Sequence, residues 1–235
     1  MNKTTVTYFG HSAWSVESAE SIFIFDYDKP PKENSFIDLT KFQGKPVFFF
    51  SSHNHGDHYN ARLNEAVSKY ANMKFITGGF NASFENSISI QPHQSKTISD
   101  ITITTADSTD IGVCYLIQTN GLTVFHSGDL ANWADNEETP VNYFHEIDYI
   151  ASHANIVDIA FIPVSTFDSY QYPCLLEGAL YAVNKLNPRF VFPMHANGQE
   201  DLYKSFAKYA KNNGVTNSII CMDTPGDSWI SPEQS

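Results

Sequence analysis

The stretch Ser51-Ser52-His53-Asn54-His55-Gly56-Asp57-His58 contains three histidines, one aspartate and one glycine within eight residues. It follows an apolar run at residues 47–51, which predicts a buried strand, and precedes an amphipathic segment at residues 60–72, which predicts a helix. In an extended chain His53 and His55 point the same way, and Gly56 is expected to permit a tight turn that returns Asp57 and His58 towards them. Imidazole and carboxylate ligands suit Zn²⁺ or another borderline divalent metal. The stretch therefore predicts a metal site on a loop at the end of a strand.

The segments on either side of this loop alternate between β-prone and helical patterns. Strands are predicted at residues 5–8, 13–17, 22–26, 74–77, 97–105, 113–119, 122–125, 156–164 and 190–193, and helices at residues 175–186 and 202–211. Asn120-Gly121 predicts the turn of the clearest hairpin, for which type I′ geometry is expected. This hairpin and the opening one both lead into an Asp-containing segment, which indicates two hairpin-containing halves of one sandwich. We predict a single α/β domain over residues 1–235, with sheets inside and helices outside.

Further motifs lie in a fixed order around the histidine-rich loop. Phe9-Gly10-His11-Ser12 and Phe25-Asp26 precede it, and His126-Ser127-Gly128-Asp129 and Phe192-Pro193-Met194-His195 follow it. Together with the H-x-H-x-D-H pattern of the loop, they resemble the metallo-β-lactamase superfamily. The opening motifs resemble its branch of small cytoplasmic metal-dependent hydrolases, which includes relatives of the ascorbate-phosphate lactonases. The resemblance implies an αββα sandwich, in which two mixed β-sheets are flanked by helices and the metals lie at one edge between the sheets.

The resemblance also implies a set of metal ligands: His53, His55, Asp57, His58, Asp129 and His195. In the superfamily the first two histidines help to hold one metal, Asp57, His58 and His195 correspond to the ligands of the second, and Asp129 lies between them.

One ligand of the superfamily pattern is missing from this chain. Members with two full sites usually supply another histidine just before the second hairpin, whereas residues 105–110 contain no imidazole. Either Asp107 or Asp110 replaces it as an oxygen ligand, or the first site is weak and the protein holds one metal. Asp110 is slightly favoured because it abuts the next strand, and capping of a turn is an equal alternative for it.

The expected cofactor is one or two divalent metal ions, with Zn²⁺ the first choice and Mn, Fe or Ni as alternatives. A bound dication lowers the pKa of water towards ~7 and so supplies hydroxide, which would attack a carbonyl or phosphoryl centre. Asp57 is the expected catalytic carboxylate, since it could orient that hydroxide or take its proton. The sequence thus predicts a hydrolase that acts on a small ester, lactone or phosphoester.

Other side chains near these motifs have two readings each. Trp133 and Tyr170 are candidates for the substrate pocket, and packing is the alternative for both. His11 lies either near the metals or in the core as a hydrogen-bonded histidine. His126 either contacts Asp129 or simply ends a strand.

Composition limits the classes of partner that this chain is expected to bind. The chain has 235 residues, a formal net charge of −12 and only two arginines. Nucleic-acid binding requires clustered Lys and Arg, so no nucleic-acid partner is expected. The apolar runs are far shorter than the ~20 residues of a membrane-spanning helix, so no membrane partner is expected. Cys114, Cys174 and Cys221 are widely spaced, which indicates reduced thiols in a cytoplasmic protein. The oligomeric state is left open.

Two alternative functions follow from the same motifs. A protein with a single metal and little hydrolytic activity is favoured if the first site lacks a ligand. An iron-dependent oxidoreductase is less favoured, because the flavin-linked di-iron members of the superfamily typically have a carboxylate where this chain has His55.

Overall fold

Apolar strands build two β-sheets, each with seven strands in the described part of the chain. The computed structural model describes residues 3–29, 37–42, 44–82, 84, 87–133, 141–166 and 171–232. The strands are β1 (Thr5–Gly10), β2 (Ala13–Glu17), β3 (Ile22–Phe25), β4 (Val47–Ser51), β5 (Met73–Gly78), β6 (Ser87–Ile90), β7 (Ser95–Ile98), β8 (Ile101–Asp107), β9 (Val113–Thr119), β10 (Leu122–His126), β11 (Ile159–Pro163), β12 (Phe190–Met194), β13 (Ser218–Ile219) and β14 (Ser228–Ile230). The helices are α1 (Ala61–Val67), α2 (Tyr143–Ser152), α3 (Pro173–Leu186) and α4 (Asp201–Asn212), and a 3₁₀ turn spans Leu39–Lys41.

The two sheets have matching topologies. The first has the order β14-β1-β2-β3-β4-β5-β6, antiparallel from β14 to β3 and parallel from β3 to β6. The second has the order β13-β12-β11-β10-β9-β8-β7, antiparallel from β7 to β10 and parallel from β10 to β13. Each sheet therefore begins with hairpins and ends with parallel strands. The predicted pair of hairpin-containing halves is this repeated topology.

The main core lies between the sheets. Phe25 of β3 and Phe50 of β4 face the second sheet, where they contact Phe161 at 6.0 Å and Tyr115 at 5.2 Å between ring centroids. A second apolar cluster on the other side of the first sheet includes Leu63 from α1. Helices α2, α3 and α4 contact β8, β11 and β12 of the second sheet. The layers are therefore helix, sheet, sheet and helices, as predicted.

Several local predictions differ from the structure. Residues 97–105, predicted as one strand, belong to the hairpin strands β7 and β8 with a turn at residues 99 and 100. The first helix stops at Val67 instead of running to residue 72, because the chain turns after the cap at Ser68. Helix α2 is capped by the Asn142 side chain and was not predicted. The turn after β9 is not type I′, since Gly121 has a φ of +98° but Asn120 has no positive φ.

Among the helices that the structure describes, none has both the length and the apolar character needed to cross a membrane.

Candidate metal centre

The chemistry-bearing residues meet at one edge of the sandwich because each follows the end of a strand. Asp26 follows β3 and His53 comes just after β4 in the first sheet, while Asp129 comes after β10 and His195 follows β12 in the second. The carboxyl ends of neighbouring parallel strands lie at the same edge of a sheet, so these loops converge. Residues that are far apart in the sequence are thereby brought to one place.

The histidine-rich loop is closed by hydrogen bonds of Ser51 rather than by Gly56. The Ser51 hydroxyl contacts the carbonyl oxygens of His53 at 2.8 Å and His58 at 3.0 Å. The backbone N–H of His58 also donates to the His55 carbonyl at 3.0 Å. Gly56 is not among the residues with positive φ, and a Cβ there would meet nothing within 4 Å. The predicted tight turn is present at residues 56–58, but it does not use the conformational freedom of glycine.

Glycines matter instead where the second sheet approaches the loop. A Cβ added at Gly112, before β9, or at Gly128, after β10, would collide with Ser52, and both glycines have positive φ. The Ser52 carbonyl accepts a hydrogen bond from the Val113 N–H at 3.0 Å. The absence of side chains at these glycines lets the loop lie directly on the opposite half of the sandwich.

Asp129 occupies the centre of the cluster. Its Oδ1 lies 3.3 Å from His58 Nε2, and its Oδ2 lies 3.6 Å from His195 Nε2 and 3.7 Å from His53 Nε2. The carboxylate therefore faces three imidazoles, two from the histidine-rich loop and one from the segment after β12. This is the central position that the sequence comparison with the superfamily implied for it.

The three imidazoles are oriented by hydrogen bonds through their other nitrogens. His58 Nδ1 contacts Asp26 Oδ2 at 2.8 Å, His195 Nδ1 donates to the Ser165 carbonyl at 2.8 Å, and His53 Nδ1 contacts the Ser52 hydroxyl at 2.9 Å. Such contacts fix each ring and leave its Nε2 directed at Asp129 in the centre of the cluster, as second hydrogen bonds do for histidines that bind metals.

Asp26 is a functional residue that sequence reasoning did not assign. Its carboxylate is 1% exposed, and besides His58 it accepts hydrogen bonds from the Ser52 N–H at 2.7 Å and the Ser52 hydroxyl at 2.9 Å. One buried carboxylate therefore braces His58 directly and His53 through Ser52. The signal in the sequence was a lone acidic residue directly after the buried strand β3.

His53, His55 and Asp110 form what we call the outer set. Asp110 Oδ2 lies 3.5 Å from His55 Nδ1 and 4.0 Å from His53 Nε2. Asp107 is directed elsewhere, since its carboxylate accepts from the Ser108 N–H and its own N–H donates to Glu146. Of the two carboxylates in the segment without a histidine, the structure brings Asp110 to the cluster.

Asp57, His58 and His195 form what we call the inner set. Asp57 Oδ2 lies 3.8 Å from His58 Nε2 and 3.5 Å from His11 Nε2, and its side chain is 39% exposed. His58 and His195 are buried, whereas the His55 side chain of the outer set is 51% exposed. Asp129 lies between the two sets.

The carboxylates polarise the buried imidazoles unequally. Burial acts to lower the pKa of His58, but Asp129 and Asp26 outweigh it and raise that pKa to about 10. For His53 burial prevails, helped by repulsion from His58, and lowers the pKa to about 4. Burial also acts to raise the pKa of Asp129, yet His58 and His195 hold it well below its usual range.

Several polar atoms of the cluster are buried without a hydrogen-bond partner in the described chain. They are Nε2 of His53, Nε2 of His58, both ring nitrogens of His11 and Oδ1 of Asp129. Unpaired buried polar atoms are costly, and these converge on one another. Three groups have ligand atoms mutually within 4.8 Å, namely His53–His55–Asp110, His53–His58–Asp129 and His11–His58–His195. The donor set fits divalent cations such as Zn²⁺.

The other residues that the sequence suggested for the site differ in where they lie. Trp133 lies beside the cluster, with its ring 5.3 Å from that of His195 and its Nε1–H donating to the Asp129 carbonyl at 3.0 Å. His126 is fully buried, stacks on Phe25 and contacts the Ser12 carbonyl, so it belongs to the core. Tyr170 lies outside the described residues.

This fold agrees with a family model that matches most of the chain. Residues 5–195 match the model described as "Beta-lactamase superfamily domain". The chain belongs to the metallo-β-lactamase superfamily. The matched range includes every residue of the outer and inner sets.

Several known proteins are similar to this chain over most of its length. A UPF0173 metal-dependent hydrolase from Opitutus terrae is 23% identical, over 95% of this chain and 98% of the relative. Another from Pyrococcus furiosus is 21% identical, over 95% of this chain and 97% of the relative. The structure of Igni18, a novel metallo hydrolase from Ignicoccus hospitalis, has a TM-score of 0.72 at 20% identity and covers 99% of this chain and 100% of that one. CmlA, a diiron β-hydroxylase from Streptomyces venezuelae, has a TM-score of 0.64 at 13% identity, over 98% of this chain and 54% of that one.

Proposed function

We propose that this chain is a metal-dependent hydrolase that holds two divalent cations and acts on a small ester, lactone or phosphoester. The observation that carries the proposal is the group of buried, unpartnered ligand atoms around Asp129. These atoms have no hydrogen-bond partner within the described residues, and bound cations would satisfy them. The relatives from Opitutus terrae and Pyrococcus furiosus, both named metal-dependent hydrolases, add support.

In this proposal each set holds one cation. The outer set supplies His53, His55 and Asp110, with the Asp110 carboxylate in place of the missing histidine. The inner set supplies Asp57, His58 and His195, and Asp129 serves both because its carboxylate lies near His53 as well as His58 and His195. Zn²⁺ is the proposed metal because imidazoles outnumber carboxylates, although Mn, Fe and Ni accept similar ligands.

In the proposed reaction Asp57 has a role besides metal binding, and Trp133 has a role in substrate binding. A dication bound here would lower the pKa of water towards ~7 and polarise a substrate oxygen. Asp57 is the proposed proton acceptor, because its carboxylate is partly exposed beside the cluster while Asp129 is buried. Trp133 is proposed to form a wall for the substrate, as its ring lies against His195.

A small-molecule substrate in the cytoplasm, without nucleic acid, is part of the same proposal. The net charge of −12 opposes binding of a polyanion, and the three cysteines form no disulfide.

Metal reconstitution and substrate screening test the proposal. The protein is stripped with a chelator, reloaded separately with Zn²⁺, Mn²⁺, Fe²⁺ or Ni²⁺, and assayed with nitrophenyl esters, lactones and phosphodiesters. We expect activity only after reloading, and a loss of at least about 100-fold in His55→Ala. The control His153→Ala removes an exposed histidine that bonds to the Tyr149 carbonyl away from the cluster. Absence of bound metal, or full activity of His55→Ala, would contradict the proposal.

An iron-dependent oxidoreductase is the second candidate. The observation in its favour is the composition of the outer set, because two histidines and one carboxylate are the ligands typical of non-haem iron oxygenases. Purification from iron-supplemented cells decides between the two. A coloured protein whose absorbance changes on exposure to O₂ would support it, and a colourless protein active with Zn²⁺ would remove it.

A further inference from the structure

We infer that His11 is an additional ligand of the inner metal, so that the inner set has three imidazoles. This inference rests on the proposed function, since it assigns a further residue to a cation that the function requires. It starts from the position of the ring. His11 lies with its ring centroid 4.3 Å from that of His195 and 5.7 Å from that of His58.

The nitrogens of His11 are within ligating reach of the same position. One nitrogen from each of His11, His58 and His195 lies mutually within 4.8 Å. Imidazole ligands of Zn²⁺ sit at about 2.0–2.1 Å from the metal, so pairs of such nitrogens fall within that spacing. Nε2 of His11 also lies 3.5 Å from Asp57 Oδ2, which belongs to the inner set.

Apart from the Asp57 carboxylate, the ring has no polar partner among the residues that the structure describes. Both of its nitrogens are buried and make no hydrogen bond to the residues that the structure describes. A core histidine ordinarily satisfies its ring nitrogens, as His126 does with the Ser12 carbonyl and the Gly128 N–H. His11 therefore differs from a packing residue in the property that a ligand requires.

The backbone holds His11 in a conformation that side chains rarely adopt. His11 has a φ of +52°, in the left-handed region where glycine and asparagine are the common residues. Strained positions of this kind persist where the surrounding structure enforces them, and they occur frequently at functional sites.

A hydrogen-bond network enforces this conformation and links it to the His195 loop. The His11 N–H donates to the Tyr8 hydroxyl at 2.9 Å, and the Tyr8 hydroxyl donates to Glu200 Oε1 at 2.9 Å. The His11 carbonyl accepts from the His195 N–H at 3.3 Å. The two imidazoles are thus fixed relative to each other through their own backbones. The structure therefore positions His11 as it positions the ligand His195.

The experiment uses two substitutions with different hydrogen-bonding capacity. His11→Gly removes the ring and relieves the positive φ, whereas His11→Asn tolerates the same φ and keeps an amide that can donate to Asp57. Both are made in an Asp110→Ala background, so that only the inner metal is measured. The matched control is His93→Asn, because His93 also has a positive φ, of +56°, but pairs with Glu146 instead.

Zn²⁺ affinity is measured by competition with a chromophoric chelator, and X-ray absorption counts the imidazoles around the bound Zn²⁺. We expect both His11 variants to bind Zn²⁺ about 100-fold more weakly and to lose one imidazole from the coordination shell, while His93→Asn changes neither. Thermal unfolding of the metal-free variants shows whether the fold is retained.

Two results would overturn the inference. One is an unchanged affinity and imidazole count in both His11 variants. The other is normal affinity in His11→Asn together with weak binding in His11→Gly, which would mean that His11 only holds Asp57 in place. Failure of the parent Asp110→Ala protein to bind Zn²⁺ at all would instead count against the proposed function, so the two failures are distinguishable.

Discussion

The inner and outer sets share one cluster but differ in how firmly their ligands are held. In the inner set, His58 is bonded to Asp26 and His195 to the Ser165 carbonyl, and both rings are buried. One ligand of the inner set, Asp57, is 39% exposed. In the outer set two of the three are exposed: His53 is buried and bonded to Ser52, but the His55 and Asp110 side chains are 51% and 37% exposed and face each other at 3.5 Å. Ligands already fixed by hydrogen bonds lose less freedom when a metal binds. We therefore expect the cluster to hold one tight and one weak metal, with the tight one at the inner set.

Removing the brace of the inner set should have the largest effect. Asp26→Asn replaces the buried carboxylate beside His58, so we expect inner Zn²⁺ affinity to fall roughly 10- to 100-fold. Because a buried charge pair is broken, the free energy of unfolding should also fall by about 3 kcal/mol. Chelator competition and chemical denaturation measure the two effects.

The control for Asp26 is Asp158→Asn. Asp158 is a buried carboxylate that accepts from the Thr123 N–H and pairs with Arg189 away from the cluster. It should lower stability without changing Zn²⁺ affinity. Equal Zn²⁺ affinities in the two variants would show that Asp26 contributes only to the fold.

Changing the outer set should affect one metal alone. We expect Asp110→Ala to abolish measurable binding of the outer Zn²⁺ and to leave the inner Zn²⁺ unchanged, because the Asp110 carboxylate faces His55 and His53 of the outer set. Asp110→His should restore two-metal binding by supplying an imidazole. Elemental analysis after gel filtration gives the stoichiometry. Asp107→Ala serves as the control, and loss of the outer metal in that variant would reverse the assignment.

Proton release should distinguish the sets more subtly. The pKa of His58 is raised to about 10, so at pH 7 a metal must displace its proton, whereas the pKa of His53, lowered to about 4, leaves that ring already neutral. Inner Zn²⁺ affinity should therefore rise about tenfold per pH unit between pH 6 and 8, with about one proton released per metal from His58. Calorimetry in buffers of different ionisation enthalpy measures this release. A pH-independent affinity would contradict the polarisation of His58 by Asp26 and Asp129.

Trp133 should affect substrate binding and neither metal. Its ring lies against His195 without offering a ligand, so Trp133→Leu should raise KM roughly threefold to tenfold with little change in kcat. Steady-state kinetics on the best substrate of the screen, with Trp229→Leu as control, tests this. A fall in kcat with unchanged KM would place Trp133 in the chemistry instead.

The sequence predicted most of the fold and the ligands that lie in motifs, but not the residues that orient them. The predicted sandwich of two mixed sheets is confirmed. It could be predicted because strand patterns and the order of the motifs can be read from the sequence. The contact of Asp26 with His58 joins residues from different loops and has no local signal. The positive φ angles of His11, Asp26 and His195 could not be predicted from residue type either.

The glycines near the loop also show that a contact between distant segments has no signal in the local sequence. Gly56 attracted attention by its place in the motif, yet Gly112 carries the steric constraint, because Ser52 from the other half of the sandwich lies against it. The assignment of residues 1–235 to one domain, and the roles of the six proposed superfamily ligands and Asp110, stay predictions.

Stepwise addition of Zn²⁺ to the metal-free protein, followed by calorimetry, tests the central claim most directly. We expect two binding events, a tight first one with proton release at the inner set and a second, at least about tenfold weaker one at the outer set. The second event should be absent in Asp110→Ala. No binding, or two events of equal affinity that both persist in Asp110→Ala, would contradict the account.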